Sequence, residues 1–297
     1  MANETAHLTV PASVVIPTVG RTALLMRCLA SVLATDPAPS EIVVVDQSGG
    51  AEVFDATARL GAGDLLRVVP NEGRGIAKAT NSGVEAVRNQ TVLVTHDDCT
   101  VAADWVGQGM RLLRGQPSAI FTGRVLPPAD AEYVPSTIDG KEPRDYTGRI
   151  TSGVLYPANM VFDRDRMIEF GGFDERAGLF VAAEDNDFCY RWLVDGHPLR
   201  FEPSLVVWHH DWRTPEQLQR THVAYARGQG AFYAKHLLAR DRRILALLRW
   251  DLIHGVRACV RGTACRIPRW KNPYREMVGS LLRGLVTELW RSRHGSW

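Results

Sequence analysis

No C-x-x-C pair occurs among the five cysteines, Cys28, Cys99, Cys189, Cys259 and Cys265, which are scattered along 297 residues. That spacing offers neither a zinc ribbon nor a disulfide framework and favours reduced thiols in a cytosolic protein. No run approaches the roughly 18 uninterrupted apolar residues that a spanning helix requires. The N-terminal MANETAHLTV lacks a basic segment followed by an apolar core, so no signal peptide is expected. The first apolar run leads into PTVGRT, and the GRG at 73–75 lacks the third glycine of a dinucleotide fingerprint. Neither a Walker A sequence nor G-x-S-x-G occurs, which weakens dehydrogenase, NTPase and hydrolase readings. Internal repeats and low-complexity tracts are absent as well.

What is present is the composition of a folded protein, 45% hydrophobic and 23% charged, long enough for one large domain or two smaller ones. The net charge of +2 hides an asymmetry. Residues 240–297 hold thirteen Lys/Arg against four Asp/Glu (+9), and the first 239 hold 22 against 29 (−7). A basic tail on an acidic body suits an anionic contact, or else a set of solvated arginines on surface helices. On a helical wheel Arg242, Arg243, Arg249, His254, Arg257 and Arg261 cluster within about 140°. Ile244, Leu245, Leu248, Leu252, Val256 and Cys259 gather on the other side. The pattern fits a helix on an anionic bilayer and equally a helix docked on the body of the protein.

Along the chain, β-branched runs at 13–17 and 41–46 flank a helical spacing over 22–34. A third strand at 66–69, a helix at 76–88 and a strand at 91–95 continue an alternating, parallel-sheet pattern. The near-continuous apolar strands imply a sheet covered on both faces. Residues 127–153 read as a long irregular excursion, followed by a strand at 157–162 and a short helix at 163–170 ending in Gly171-Gly172. A helix at 182–194 and a strand at 205–208 precede Thr214-Pro215, a cap and first-turn proline that open another helix. Ligands of parallel sheets bind beyond the carboxyl ends of the strands. The residues there are Pro17-Thr18, Asp46-Gln47-Ser48-Gly49-Gly50, Asn71-Glu72-Gly73 and His96-Asp97-Asp98. Adjacent carboxylates repel, most strongly where water is excluded, so either a positive partner sits at Asp97-Asp98 or the pair is a solvated strand-to-loop junction. Glu184, Asp185 and Asp187 open a helix, where acidic residues either complement its dipole or, facing a crevice, act as a general base. His209 and His210 end a strand and should point to opposite sides.

The order VVIPT-x-x-R, IVVVD, N-E-G-x-x-x-A-x-x-x-N-x-G, an acidic strand end, GGFDE, EDNDFCYRW and VVWHH resembles a family 2 glycosyltransferase over residues 11–235. The resemblance implies an α/β GT-A fold, with a Rossmann-like, mostly parallel sheet flanked by helices. Residues 1–125 would form the nucleotide-sugar half, 126–235 the acceptor-binding and catalytic half, and 236–297 a basic helical extension. Pro17, Thr18, Arg21 and Asp46 are implied near the nucleoside, and Asn71, Gly73, Arg74, Lys78 and Asn81 along the nucleotide sugar. The D-x-D motif falls on His96, Asp97 and Asp98, with histidine in place of the first aspartate. Asp98 and His209 are implied as ligands of Mn²⁺ or Mg²⁺, which would supply the missing positive charge. Asp185, paired with Glu184, matches the base, and Asn159, Gly172, Asp174, Trp208 and Trp212 match the acceptor wall.

The activity so implied is metal-dependent, inverting transfer from a UDP-, GDP- or dTDP-sugar to a glycan or lipid-linked acceptor in cell-envelope or exopolysaccharide synthesis. No nucleic-acid partner is implied, and the expected location is cytoplasmic or peripheral on the inner face of the plasma membrane. The alternatives are a small-molecule acceptor, or a catalytically impaired protein that binds nucleotide sugar or glycan. Nucleotidyl transfer on a related fold is a weaker rival, because PTVGRTALL is a poor match to the loop it requires.

Overall fold

A computed structural model describes residues 8–129, 131, 133–175, 182–210, 212–265, 267 and 270–294. The apolar run at 13–17 lies inside β1 (Thr9–Thr18), and the helical spacing after it forms α1 (Thr22–Leu33). There follow β2 (Ala38–Asp46), α2 (Glu52–Ala58), β3 (Leu66–Pro70), α3 (Ile76–Ala86) and β4 (Thr91–Val94). β1 pairs parallel with β2 and β4, and β2 pairs parallel with β3. One face of these strands (Val14, Ile16, Ile42, Val44, Leu93) shares a core with Leu25 and Leu29 of α1. The other face carries α3, where Gly83 leaves no room for a side chain: a Cβ would stand 2.3 Å from Val15 and 3.0 Å from Val45. Apolar residues are therefore needed on both sides of the strands, which explains their unbroken runs.

The chain continues through β5 (Cys99–Val101), α4 (Trp105–Gly115), β6 (Ile120–Leu126), β7 (Arg144–Asp145), β8 (Met160–Asp163), α5 (Arg164–Glu169), α6 (Glu184–Val194) and β9 (Leu199–His209). The sheet order is β3-β2-β1-β4-β8-β6-β9-β5, with β7 on β9. β8 enters antiparallel between β4 and β6, so the expected parallel arrangement holds through β4 and becomes mixed beyond it. The strand expected at 157–162 starts as a 3₁₀ turn, Pro157–Asn159, because proline has no N–H to give a ladder. The strand expected at 205–208 is the end of the longer β9, whose RFEPS half lacks the apolar signal. No element is expected from the sequence over 102–126, yet α4 and β6 lie there, α4 with three glycines that weaken its helical signal. Gly109 has a packing reason, since a Cβ would stand 2.7 Å from Leu93 on β4.

The chain clusters into two compact units: residues 1–149, 154–175 and 191–211, and residues 150–153, 176–190 and 212–297. These limits differ from the expected segments 1–125, 126–235 and 236–297, because residues beyond 125 complete the sheet through β7, β8 and β9. The second unit holds α7 (Pro215–Leu238), α8 (Ile244–Arg261) and α9 (Pro273–His294). Thr214 caps α7 through a reciprocal capping box with Gln217, and Pro215 stands in the first turn. α7 and α9 touch backbone to backbone. A Cβ on Gly230 would lie 1.9 Å from the Leu281 carbonyl oxygen, and one on Gly284 would lie 2.0 Å from that of Arg227. Gly230→Ala and Gly284→Ala should each destabilise the protein by about 1–3 kcal/mol, the usual cost of overpacking. Thermal or urea unfolding checks this; unchanged midpoints would mean the helices part freely.

Candidate active site

The parallel strands end on one edge, where Thr18 is paired with Asp46 and Asp46 with Pro70. Beyond β4 the chain passes through His96, Asp97 and Asp98 before β5. Asp97 and Asp98 are 0% and 4% exposed, so their repulsion demands a partner. Arg21, just before α1, is that partner. Its Nε lies 3.1 Å from Asp97 Oδ2, its Nη2 pairs with Asp97 Oδ1, and its Nη1 lies 3.1 Å from Asp98 Oδ2. Thr18 Oγ1 donates to Asp97 Oδ2 at 2.6 Å. The positive charge that the sequence reading gave to a divalent cation is thus provided here by an arginine. Thr18 and Asp97, expected along the donor, bond to each other inside the protein.

His209 stands opposite Cys99 in the β5–β9 pairing, with Nε2 3.6 Å from Asp98 Oδ2 and Nδ1 3.1 Å from the Pro135 carbonyl oxygen. His210 turns the other way, to Thr100 Oγ1 at 2.8 Å, as strand alternation requires. Burial pushes the Asp98 carboxyl upward, but hydrogen bonding and charge from His209, then the charge of Arg21, hold it well below the usual carboxylate range. Burial depresses His96 against the opposing pull of Asp98 and Asp97, and its Nε2 is buried without a hydrogen-bond partner.

Among the described residues no three His, Cys, Asp or Glu side chains gather as a metal cluster. Asp98 and His209 nevertheless offer two donors. A carbonyl on Nδ1 holds the imidazole with Nε2 towards Asp98, and a cation bound there would take the place of the Nε2 proton, as in metal-ligating histidines. The pair fits Mn²⁺ or Mg²⁺ that draws its other ligands from phosphate and water. Arg21 competes for the same Asp98 oxygen.

Pro17 is buried in β1, and Asp46 is buried with both oxygens engaged by Ser48, from its N–H at 2.9 Å and its Oγ at 3.0 Å. Gln47, at the strand end beside Asp46, receives the Gly75 N–H at 2.8 Å and braces the loop after β3. In that loop Gly73 and Arg74 are exposed, and Lys78 Nζ donates to the Glu72 carbonyl at 2.6 Å. Asn71 accepts from Ser82 Oγ at 2.9 Å while its Nδ2 is buried without a partner.

Asn81 and Gly172, expected on different walls, form one buckle. Asn81 Nδ2 donates to the Phe173 carbonyl at 2.9 Å and to Glu175 Oε1 at 2.7 Å, and its Oδ1 accepts the Phe173 N–H at 3.0 Å. Gly172, at φ 59°, fits beneath it, since a Cβ would lie 2.6 Å from Asn81 Oδ1. Asp174 is half-buried in the same turn. Asn159 corrects the acceptor-wall expectation. It is wholly buried, accepts Trp105 Nε1–H at 2.9 Å and donates to the carbonyls of Arg124 (2.9 Å) and Leu205 (3.0 Å). It ties α4 to two strands and faces no solvent. Trp208 is half-buried on β9.

In the second unit the acidic run divides by role. Asp187 is fully buried and accepts from Lys235 Nζ at 2.7 Å and His236 Nε2 at 2.9 Å, so it fastens α6 to α7. Asn186 Nδ2 reaches Gln229 Oε1 at 2.7 Å. Glu184 and Asp185 remain, both raised above the ordinary carboxylate range, chiefly by burial and, for Glu184, by the charge of Asp185. Raised carboxyls at a helix start are candidate proton acceptors. Ala183 just before them has φ 88°, a strained conformation for a residue with a Cβ. The Ala182 carbonyl lies so close to Gly228 of α7 that a Cβ there would stand 1.8 Å from its oxygen. Gly228 therefore belongs to the positioning of the acidic pair. Trp212 is exposed, with the Arg213 guanidinium 4.8 Å over its ring.

Comparison with known proteins supports the resemblance read from the motifs. The family model for glycosyl transferase family 2 matches residues 13–171. The chain is 29% identical over 177 residues to the glucosyl-dolichyl phosphate glucuronosyltransferase of Haloferax volcanii, covering 54% of this chain and 56% of that one. It is 27% identical over 182 residues to the pre-mycofactocin glycosyltransferase of Mycobacterium tuberculosis, covering 58% and 38%. The matched segment thus spans about half, or less, of these relatives' length. Among solved structures, the mannosyltransferase PcManGT from Pyrobaculum calidifontis, in complex with GDP-Man and Mn²⁺, aligns with TM-score 0.64 at 19% identity, covering 94% of this chain and 87% of that one. TarS 1–349 of S. aureus, in complex with UDP, aligns with TM-score 0.57 at 14% identity, covering 96% and 92%. At such identities the likeness shows the fold, which is GT-A.

Proposed function

Because the chain belongs to glycosyl transferase family 2, we propose that it transfers a sugar from a nucleoside-diphosphate donor to an acceptor hydroxyl with inversion. The observation that carries this reading is the Asp98–His209 pair beyond the strand ends, its imidazole oriented by the Pro135 carbonyl. Asp98 and His209 would hold Mn²⁺ or Mg²⁺ together with the donor diphosphate, and the bound ion would neutralise charge on the leaving nucleotide. Asp185, ionised, takes the proton of the acceptor hydroxyl. The freed oxygen bonds to the anomeric carbon, and the bond to the diphosphate breaks with its electron pair remaining on the nucleotide. Attack from the face opposite the leaving group inverts the centre.

The donor class is supported by the solved relatives named with GDP-Man and with UDP. The Haloferax relative, whose name carries a dolichyl phosphate, supports a lipid-linked acceptor of envelope type. A thermal-shift panel of UDP-, GDP- and dTDP-sugars with and without Mn²⁺ tests the proposal. The correct donor should stabilise the protein by about 2.7 kcal/mol at a hundred times its Kd, and only with metal. No shift with any donor would defeat it. Arg21 on Asp98, together with His96 in the D-x-D position, favours a second reading: a nucleotide-sugar-binding protein that does not turn over. A donor that shifts the melt but is neither transferred nor hydrolysed selects that reading.

A further inference from the structure

The transfer chemistry leaves one face of the second unit unused. Of the α8 residues only Ile244 is buried. Gly255 marks the inner side of α8, because a Cβ there would stand 2.5 Å from Val278 of α9. Counted from Gly255 at 100° per residue, Leu245, Val256, Val260, Ile253, Ala246 and Trp250 fan over an outward arc of about 140°. Trp250 is 62% exposed and Val260 82%. Arg249 and Arg257 stand within the same arc and are exposed. The arginines and aliphatics placed from the sequence keep their two sides, but Ala246, Trp250, Ile253 and Val260 share the arginine side. The outward face mixes both, and Leu245 and Val256 are not covered by protein.

Charge on this part of the chain is also sorted. Asp251 accepts from Tyr233 at 2.5 Å and Gln229 at 3.4 Å, Glu276 accepts from Trp270 at 2.9 Å, and Glu288 is buried. Asp241 holds Tyr190 at 2.9 Å and Arg243 at 2.8 Å. Arg242, Arg249, Arg257, Arg261, Arg275 and Arg283 stay exposed. Each of these carboxylates is hydrogen-bonded or buried and, Glu276 apart, none is exposed, so solvent meets mainly aliphatic, indole and guanidinium groups.

We propose that the outward face of α8 lies in the interface of an anionic lipid bilayer. Leu245, Trp250, Val256 and Val260 enter the acyl boundary, and Arg249 and Arg257 extend to headgroup phosphates along their aliphatic stems. A second copy of the chain fits poorly, since it would bring a like-charged face against this one. No helix among the described residues is long and apolar enough to cross a membrane, so the contact is one of lying on the surface.

The test is co-sedimentation of the full chain with vesicles of phosphatidylglycerol and phosphatidylcholine. Binding should appear at low salt and weaken as salt rises. Arg249→Gln with Arg257→Gln should weaken it about 30-fold, at roughly 1 kcal/mol per charge. Trp250→Ser with Val260→Ser should weaken it at least about tenfold through lost apolar burial. Both double variants replace exposed side chains, so melting points and donor-induced shifts should stay as in the parent. Absence of pelleting overturns the proposal, as does equal, salt-insensitive pelleting with phosphatidylcholine alone. A parent dimer that Trp250→Ser converts to monomer, without lipid binding, would assign the face to a second copy instead.

Discussion

Asp185→Asn should lower turnover by about 10²–10⁴-fold, the range for losing a general base, while donor affinity stays within error. The amide keeps the shape of the carboxylate and its hydrogen bond from the Asn186 N–H, so the start of α6 should be unaltered. Steady-state transfer beside calorimetric donor binding reads both quantities. A large loss of donor affinity with turnover preserved would make Asp185 a binding residue. The pH profile is a second readout. Burial raises the carboxyls of Asp185 and Glu184, so the base is protonated, and idle, at pH values where an ordinary aspartate is already charged. Turnover should climb with pH above the ordinary carboxylate range. Stability should run the other way, because the folded state binds these protons more tightly than the unfolded chain and loses that advantage as pH rises through the raised values. Replacing Asp185 should remove that climb from the rate.

Asp98→Ala should abolish Mn²⁺-dependent donor binding. Removing an exposed strand-end carboxylate would leave the fold intact. The structure makes it costlier, because Asp98 is buried and holds one nitrogen of Arg21. Arg21 keeps its two contacts with Asp97 in the variant, so folding should survive with a lowered melting point. Asp98→Asn preserves the packing and isolates the charge. It should melt below the parent, since the buried charge that Arg21 and His209 stabilise is gone, yet stay folded and lose the metal-dependent shift. His209→Ala should be milder, since water can replace one ligand. Full, metal-independent activity in Asp98→Asn would end the case for a metal at this site.

The parallel strands, α1 and the capped start of α7 were legible because each rests on local signals. Periodicity gave Leu25 and Leu29 a common face, and Thr214 with Pro215 is a cap written in consecutive residues. His209 and His210 were legible for the same reason, since alternation alone separates them. Arg21 was not. Its partners lie 76 and 77 residues away in the chain, and only the strand order brings them together. Asn159 was placed on the acceptor wall by the resemblance alone, and no local signal shows that Trp105 and two carbonyls use its whole amide. The outward side of α8 escaped because a wheel ranks residues around an axis and says nothing about what covers them. Here the edge residues Leu245 and Val256 proved bare.

The glycines of the second unit have a mechanical consequence. Leu281 and Gly284 meet Arg227 and Gly230, and Gly228 meets Ala182, each time through main chain and not through side chains. A seam of this kind has no rotamers to repack, so neither helix can slip along the other by a fraction of a turn. Displacement of α9 is handed to α7, and from α7 to the peptide that precedes Glu184. The acidic pair is thereby joined to α9 through two successive main-chain contacts.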